Sequence, residues 1–242
     1  MSEEIKSTKL ARFVNDLEAA HADNLSSVTV YGSTAQGDLS AAAGHDVLIV
    51  LRRLELDDLR RAAGPIREWT RSGQPMPVYF SQDELRRAAD VFPIEFLQME
   101  QARKVLYGSD PFESVEISQA NLRHQTEYEL RTKCLQLRRL YFSAAASPEQ
   151  LVRLMTESLS SFVALFRAVL ILHGAPPPLT KRDAVKTTAR VVGLDTSPFD
   201  QILELVGKKA RLTKSEAENL FGIYLAQIQK VIDAVDQIER RD

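Results

Sequence analysis

Val28-Thr-Val-Tyr-Gly32-Ser33-Thr-Ala-Gln-Gly37, followed by Asp46-Val-Leu-Ile-Val-Leu51, is the stretch that decides the fold. The first run is short, β-branched and apolar, and it stops at a glycine. The second is continuously apolar, which suits a strand buried on both faces. Gly32 carries no Cβ, so the backbone there can approach an anion closely. Ser33 adds a hydroxyl, and a helix beginning after it would point unpaired N–H groups at a phosphate. Asp46, at the head of the second strand, could then hold Mg²⁺ against that phosphate. A plain strand-to-helix turn accounts for Gly32-Ser33 equally well, and a capping carboxylate accounts for Asp46.

Around this stretch the first 110 residues mix periods of two and 3.6. Ile5, Leu10, Phe13, Val14 and Leu17 recur at helical spacing and predict a helix over 3–22. A second helix is expected over 56–72, with Gly64-Pro65 kinking it because proline lacks an N–H and crowds the preceding turn. Met76–Phe80 reads as a third strand and Lys104–Tyr107 as a fourth. Ser81 with Glu84 forms a capping box for a short helix between them. Phe92, Pro93 and Phe96 are expected to seal a contact between domains. Alternating helix and strand predict an α/β domain with a mixed sheet over 1–115.

Beyond residue 115 strand signals vanish. A long helix is expected over 118–146. Ser147-Pro148-Glu149-Gln150 starts the next, which runs to His173 before Gly174 and Pro176–Pro178 stop it. Thr180 with Asp183, Ser197-Pro198, and Thr213 with Glu216 start three more. The expectation is an all-α helical bundle over 116–242.

Lys and Arg number 31 against 33 Asp and Glu, a formal charge of −2, so the whole-molecule basic field that holds nucleic acid is absent. One cysteine, Cys134, excludes a disulfide scaffold, and four scattered histidines form no HxxH or HExxH pair. The acidic, polar N-terminus is unlike a signal peptide. The longest apolar stretch, Phe162–Leu172, is interrupted by Arg167. These features lead to the expectation of a soluble, cytoplasmic chain with no membrane partner.

The strand, the Gly32-Ser33 turn and Asp46 on the next strand resemble the nucleotidyltransferase superfamily, the fold of DNA polymerase β and kanamycin nucleotidyltransferase. The resemblance covers roughly residues 25–110, and Phe92–Pro111 is similar to bacterial members that carry a C-terminal helical domain. It implies nucleotide binding at Gly32 and Ser33, Mg²⁺ on Asp46, and transfer of NMP from an NTP to a hydroxyl. It also implies a helical domain that walls the acceptor site and can form a homodimer. The departures are specific. Leu48 stands where the family has its second Asp, the strand Met76–Phe80 lacks the third carboxylate, and Gln36 stands where many relatives carry Arg. Mg²⁺ demands near-octahedral oxygen ligation, so catalysis is expected to be degenerate unless Asp38 or Glu55 replaces the lost ligands.

A rival reading lies in the helical half. Arg167 and His173 fit the loose Arg-x4–6-His pattern of HEPN domains, some of which cut RNA. There Arg would stabilise a phosphorane and His would move a proton. The alternative is a His at a helix C-terminus, with Arg167 snorkelling from an apolar face. Arg123, Arg131, Lys133, Arg138 and Arg139 read as a solvated basic face. Lys181–Arg211 reads as a general charged surface, Cys134 as a core residue, and Trp69 as core.

Overall fold

The computed structural model describes residues 3–32, 44–113, 115–178, 180–206 and 212–238, with the backbone alone over 3–8. It divides into two compact units, Met1–Ser118 and Gln119–Asp242.

The first unit contains four strands, β1 (Leu25–Tyr31), β2 (Asp46–Leu51), β3 (Val78–Ser81) and β4 (Arg103–Gly108), in the order β3-β2-β1-β4. β1 pairs antiparallel with both β2 and β4, and β2 pairs parallel with β3, so the sheet is mixed. Helices α1 (Glu3–His21) and α2 (Leu56–Arg71) cover one face. There Phe13, Val14, Leu17 and Trp69 pack on Val28, Val30, Val47, Ile49 and Leu51. Phe13 and Trp69 stack with ring centroids 4.2 Å apart. Helices α3 (Gln82–Ala88) and α4 (Pro93–Gln101) lie over the other face, where Leu85, Phe96 and Met99 pack on Leu48 and Val50. Burying each large aliphatic side chain contributes roughly 1.5–3 kcal/mol, and β2 is buried on both faces, which explains its continuous apolar run.

Several expectations shift. β1 begins three residues earlier than its β-branched core, and β3 begins two residues later because Pro75 and Pro77 cannot donate to the ladder. α2 runs helically through Pro65, which is partly buried on the same face as Asp58, Ala62 and Trp69. Phe92–Phe96 belongs to a helix of the first unit. It opens α4, and Phe96 is buried edge-on between Phe80 and Phe112 in the first unit's own core. The capping boxes at Ser81/Glu84 and Thr213/Glu216 form as read.

At the far end of the sheet from Asp46, polar groups are buried together. Asp58 accepts from the Glu55 N–H at 2.9 Å and from Asn24 Nδ2 at 3.0 Å. His21 is buried, with Nε2 3.3 Å from the Tyr79 hydroxyl.

The second unit packs α5 (Gln119–Ala144), α6 (Pro148–Leu172), α7 (Lys181–Val192), α8 (Ser197–Leu205) and α9 (Lys214–Asp236). Its centre is a chain of edge-to-face rings, Phe162–Tyr224–Phe199–Phe166, with centroids 5.7–6.1 Å apart. Such pairs contribute about 0.5–1.5 kcal/mol beyond burial. Cys134 is buried as expected. Arg123 is not solvated: it is buried, pairs with Glu127 at 2.9 Å and reaches the Val235 carbonyl at 3.5 Å. Helix α6 extends well before Phe162. Among the described residues it is the one helix long and apolar enough to cross a membrane by length and composition, and 56% of its most apolar window is buried inside the fold.

Burial lowers the His21 pKa below its ordinary value, an effect that neighbouring Asp58 opposes and Arg61 reinforces. The unfolded chain therefore takes up the proton first as pH falls. Urea denaturation is expected to show constant stability from this group above about pH 6.5 and progressive loss below it. His21→Gln should flatten that part of the slope.

Candidate functional site

Tyr31, the last residue of β1, pairs directly with Asp46, the first of β2. The chain leaves β1 at Gly32 with φ +79°, a conformation that strains any residue with a Cβ. The Gly32 N–H donates to the Ala102 carbonyl at 2.8 Å. A Cβ at Gly32 would lie 3.3 Å from Asp46 Oδ2, so the carboxylate overhangs the bare turn. Sequence reasoning placed these two residues together, and the structure does so. Ser33, Gln36 and Asp38 lie outside the described residues.

Both strands are held at this end by groups that carry no sequence motif. Trp69 Nε1 donates to the Pro75 carbonyl at 2.9 Å and so fixes the loop after α2. Gln74 on that loop accepts the His45 N–H through Oε1 at 2.8 Å. Gly44 is required beside it, since a Cβ there would fall 2.3 Å from Pro75 Cδ. On the other side, Arg103 opens β4 opposite Tyr31. Its Nη2 lies 2.7 Å and its Nε 2.9 Å from Asp110 Oδ2, and Nη1 donates to the Glu100 carbonyl. Burial pushes the Asp110 carboxyl up, but the hydrogen bonds from Arg103 and from the Phe112 N–H outweigh it and hold the pKa below the usual range. The bidentate pair brackets β4, whose preceding residue supplies the acceptor for Gly32. Side chain-to-backbone links of this kind leave no periodic signal, which is why the sequence does not reveal them.

Asp46 itself is half-buried. Desolvation raises its pKa, and nearby His45 opposes that shift. Tyr31 is likewise pushed up by burial and then by the Asp46 charge. Side chains alternate along a strand, so Asp46, Leu48 and Val50 share one sheet face. Leu48 is fully buried and pairs with Val78 of β3. The residues two before and two after Asp46 are Gly44 and Leu48, so neither register of an Asp-x-Asp pair supplies a second carboxylate. Glu55 caps α2 beyond the opposite end of β2, a strand roughly 20 Å long, and is not brought to Asp46. Asp83 and Glu84 belong to the first turn of α3. Among the described residues, no group of three or more His, Cys, Asp or Glu could hold a metal ion. A two-metal centre needs several oxygens converging on each ion, and the described residues do not fit one.

In the helical unit, Arg167 is half-buried and its Nε donates to the Pro178 carbonyl at 3.0 Å, across the loop that leaves α6. Desolvation lowers its pKa. His173 is the exposed C-cap residue of α6. Six residues along one helix turn their Cβ atoms about 240° apart around the axis and separate them by about 9 Å.

Among solved structures, the chain is similar to the crystal structure of spectinomycin adenyltransferase from Enterococcus faecialis with ATP and spectinomycin. The TM-score is 0.56 at 14% identity, covering 94% of this chain and 100% of that one. The chain has a nucleotidyltransferase-like fold. The likeness spans the helical unit as well as the sheet, so both halves of the nucleotidyltransferase-like chain have a counterpart in one protein. No protein-family model matches the sequence, and no curated protein matches it.

Two outcomes follow from the turn. Gly32→Ala is expected to cost about 1–2 kcal/mol in urea denaturation, from a positive φ and crowding of Asp46. Asp46→Asn is expected to raise the melting temperature at pH 7 by ~2 °C. The folded pKa of Asp46 is raised, so ionisation favours the unfolded chain as pH rises. The gain should therefore vanish when the scan is repeated below about pH 4, where the unfolded carboxyl is also protonated.

Proposed function

We propose that this chain is a nucleotide-binding protein on the nucleotidyltransferase fold whose metal-dependent transfer has been lost, leaving a regulatory or scaffold role. The observation that carries this reading is the sheet face of Asp46. Its next position, Leu48, and that residue's partner, Val78, are both apolar where ligands for Mg²⁺ would be required. The nucleotide side of the reading is supported by the bare, positively twisted turn at Gly32. It is supported also by a likeness over nearly the whole chain to an adenyltransferase solved with ATP.

On this reading Gly32 gives a phosphate oxygen close approach, with Ser33 as the adjoining hydroxyl donor. Asp46 then faces the phosphate as an uncompensated negative charge. Two such charges at about 4 Å repel by roughly 1 kcal/mol in water and more where solvent is excluded.

This repulsion separates the reading from an active enzyme that transfers NMP to a hydroxyl. In metal-free buffer, Asp46→Asn is expected to tighten binding of a fluorescent ATP analogue by about threefold to tenfold. With labelled NTPs, Mg²⁺ or Mn²⁺ and spectinomycin as acceptor, no label should be transferred. Mg²⁺-dependent labelling abolished by Asp46→Asn would overturn the proposal, as would failure of the wild-type chain to bind any nucleotide.

A further inference from the structure

The outer face of α5 carries three large apolar side chains at seven-residue spacing: Tyr128, Leu135 and Phe142. They are 62%, 58% and 83% exposed. Single exposed apolar residues are ordinary, but an aligned row of them marks an interaction surface. Seven residues is the repeat at which one helix meets another, so the three point along a single seam about 21 Å long.

Arg138 and Arg139 stand on the two sides of the seam between Leu135 and Phe142. Residues 130–144 contain Arg131, Lys133, Arg138 and Arg139 and no Asp or Glu. Arg131 is neutralised locally by Glu127 at 2.7 Å and Asp236 at 3.5 Å, and Lys133 lies 3.7 Å from Glu129. Arg138 donates to the neutral amide oxygen of Gln229 at 3.0 Å. Arg139 makes no ion pair with a described residue. The C-terminal half of the seam therefore presents Leu135 and Phe142 beside two guanidinium groups that make no ion pair with a described carboxylate. Tyrosine, phenylalanine and arginine are the residues that dominate binding at protein interfaces.

From this pattern we infer that the α5 seam docks an acidic amphipathic helix of a partner protein. The occupant's apolar residues, at heptad spacing, would cover Tyr128, Leu135 and Phe142, and its flanking Glu or Asp would meet Arg138 and Arg139. Charge argues against a second copy of this chain. An antiparallel pairing centred on Leu135 matches Tyr128 with Phe142 but sets Arg138 against Thr132 and Arg139 against an arginine already paired within its own chain, so neither meets a carboxylate. A parallel pairing sets Arg138 against Arg138. The parallel arrangement is opposed by like charge, and the antiparallel one supplies no acid for Arg138 or Arg139. A single-stranded nucleic acid would match the arginines and could stack bases on Tyr128 and Phe142, but Leu135 at the centre of the row offers no ring to stack on.

The test uses the full chain and two synthetic helices of about three heptads, assayed below their own self-association concentration. Both carry Leu at the a and d positions. One has Glu at e and g, and the other has Lys there. Fluorescence anisotropy is expected to show the Glu helix binding at least tenfold tighter than the Lys helix, with affinity falling as salt rises. Leu135→Glu should weaken the Glu helix about tenfold, and Arg138→Glu with Arg139→Glu should remove the preference between helices. All three side chains are exposed, so circular dichroism should report an unchanged fold.

Equal affinity for the two helices overturns the inference, and so does no binding at about 100 μM. A sedimenting dimer lost on Leu135→Glu assigns the seam to a second copy and overturns it too. A single-stranded RNA oligomer bound more tightly than the Glu helix would have the same force.

Discussion

The pairing of Tyr31 with Asp46 is the constraint on which the first unit depends. It sets the register of the two central strands, and side chains alternate with a period of two. A slip of one residue would put Asp46 on the α1/α2 face, in place of Val47, and turn Leu48 away from Phe96. The Gly32 N–H bonded to Ala102 ties that register to β4 on the opposite side. Two central strands and one edge strand thus meet around a single backbone turn. The bonds from Trp69 to the Pro75 carbonyl, from His45 to Gln74 and from Arg103 to Asp110 hold the segments on either side.

That register also decides what the turn can do chemically. The face that bears Asp46 continues directly into the apolar core beneath α3 and α4. Leu48, fully buried, contributes roughly 1.5–3 kcal/mol of packing there, and the partly buried Val78 less. Carboxylates in the same places would be buried without partners unless cations held them. On β2 that face is hydrophobic up to its last position, while β1 lays the buried Ser27 and Thr29 beside it, and Asp46 stands at the margin with a raised pKa. On the proposed reading, this desolvated carboxylate beside a bare glycine turn is the negative charge that a bound phosphate would meet.

The helical unit has the opposite balance. Its inside is densely ordered by the Phe162–Tyr224–Phe199–Phe166 rings, with the Tyr224 hydroxyl 3.2 Å from Ser158. Its outside, along α5, leaves aromatic and aliphatic side chains in water. Tyr128, Leu135 and Phe142 take no part in that core.

Much of the architecture was legible in residue order. The doubly apolar run Val47–Leu51, the capping boxes and the proline and glycine stops are local signals, and local sterics and hydrogen bonds produce them. The closeness of Gly32 and Asp46 was legible as well, because strand, turn and strand lie in a short span. What only the tertiary structure decided lay in long-range contacts. Pro93–Gln101 became a core helix because Phe80 and Phe112, distant in the chain, enclose Phe96. Arg123 went inside because Glu127 and the Val235 carbonyl await it there. The Gly32 N–H was committed to Ala102 through a backbone bond that carries no side-chain signature. Periodicity records which face of an element is apolar, but the partner that covers it is chosen by chain segments whose separation in sequence leaves no pattern to read.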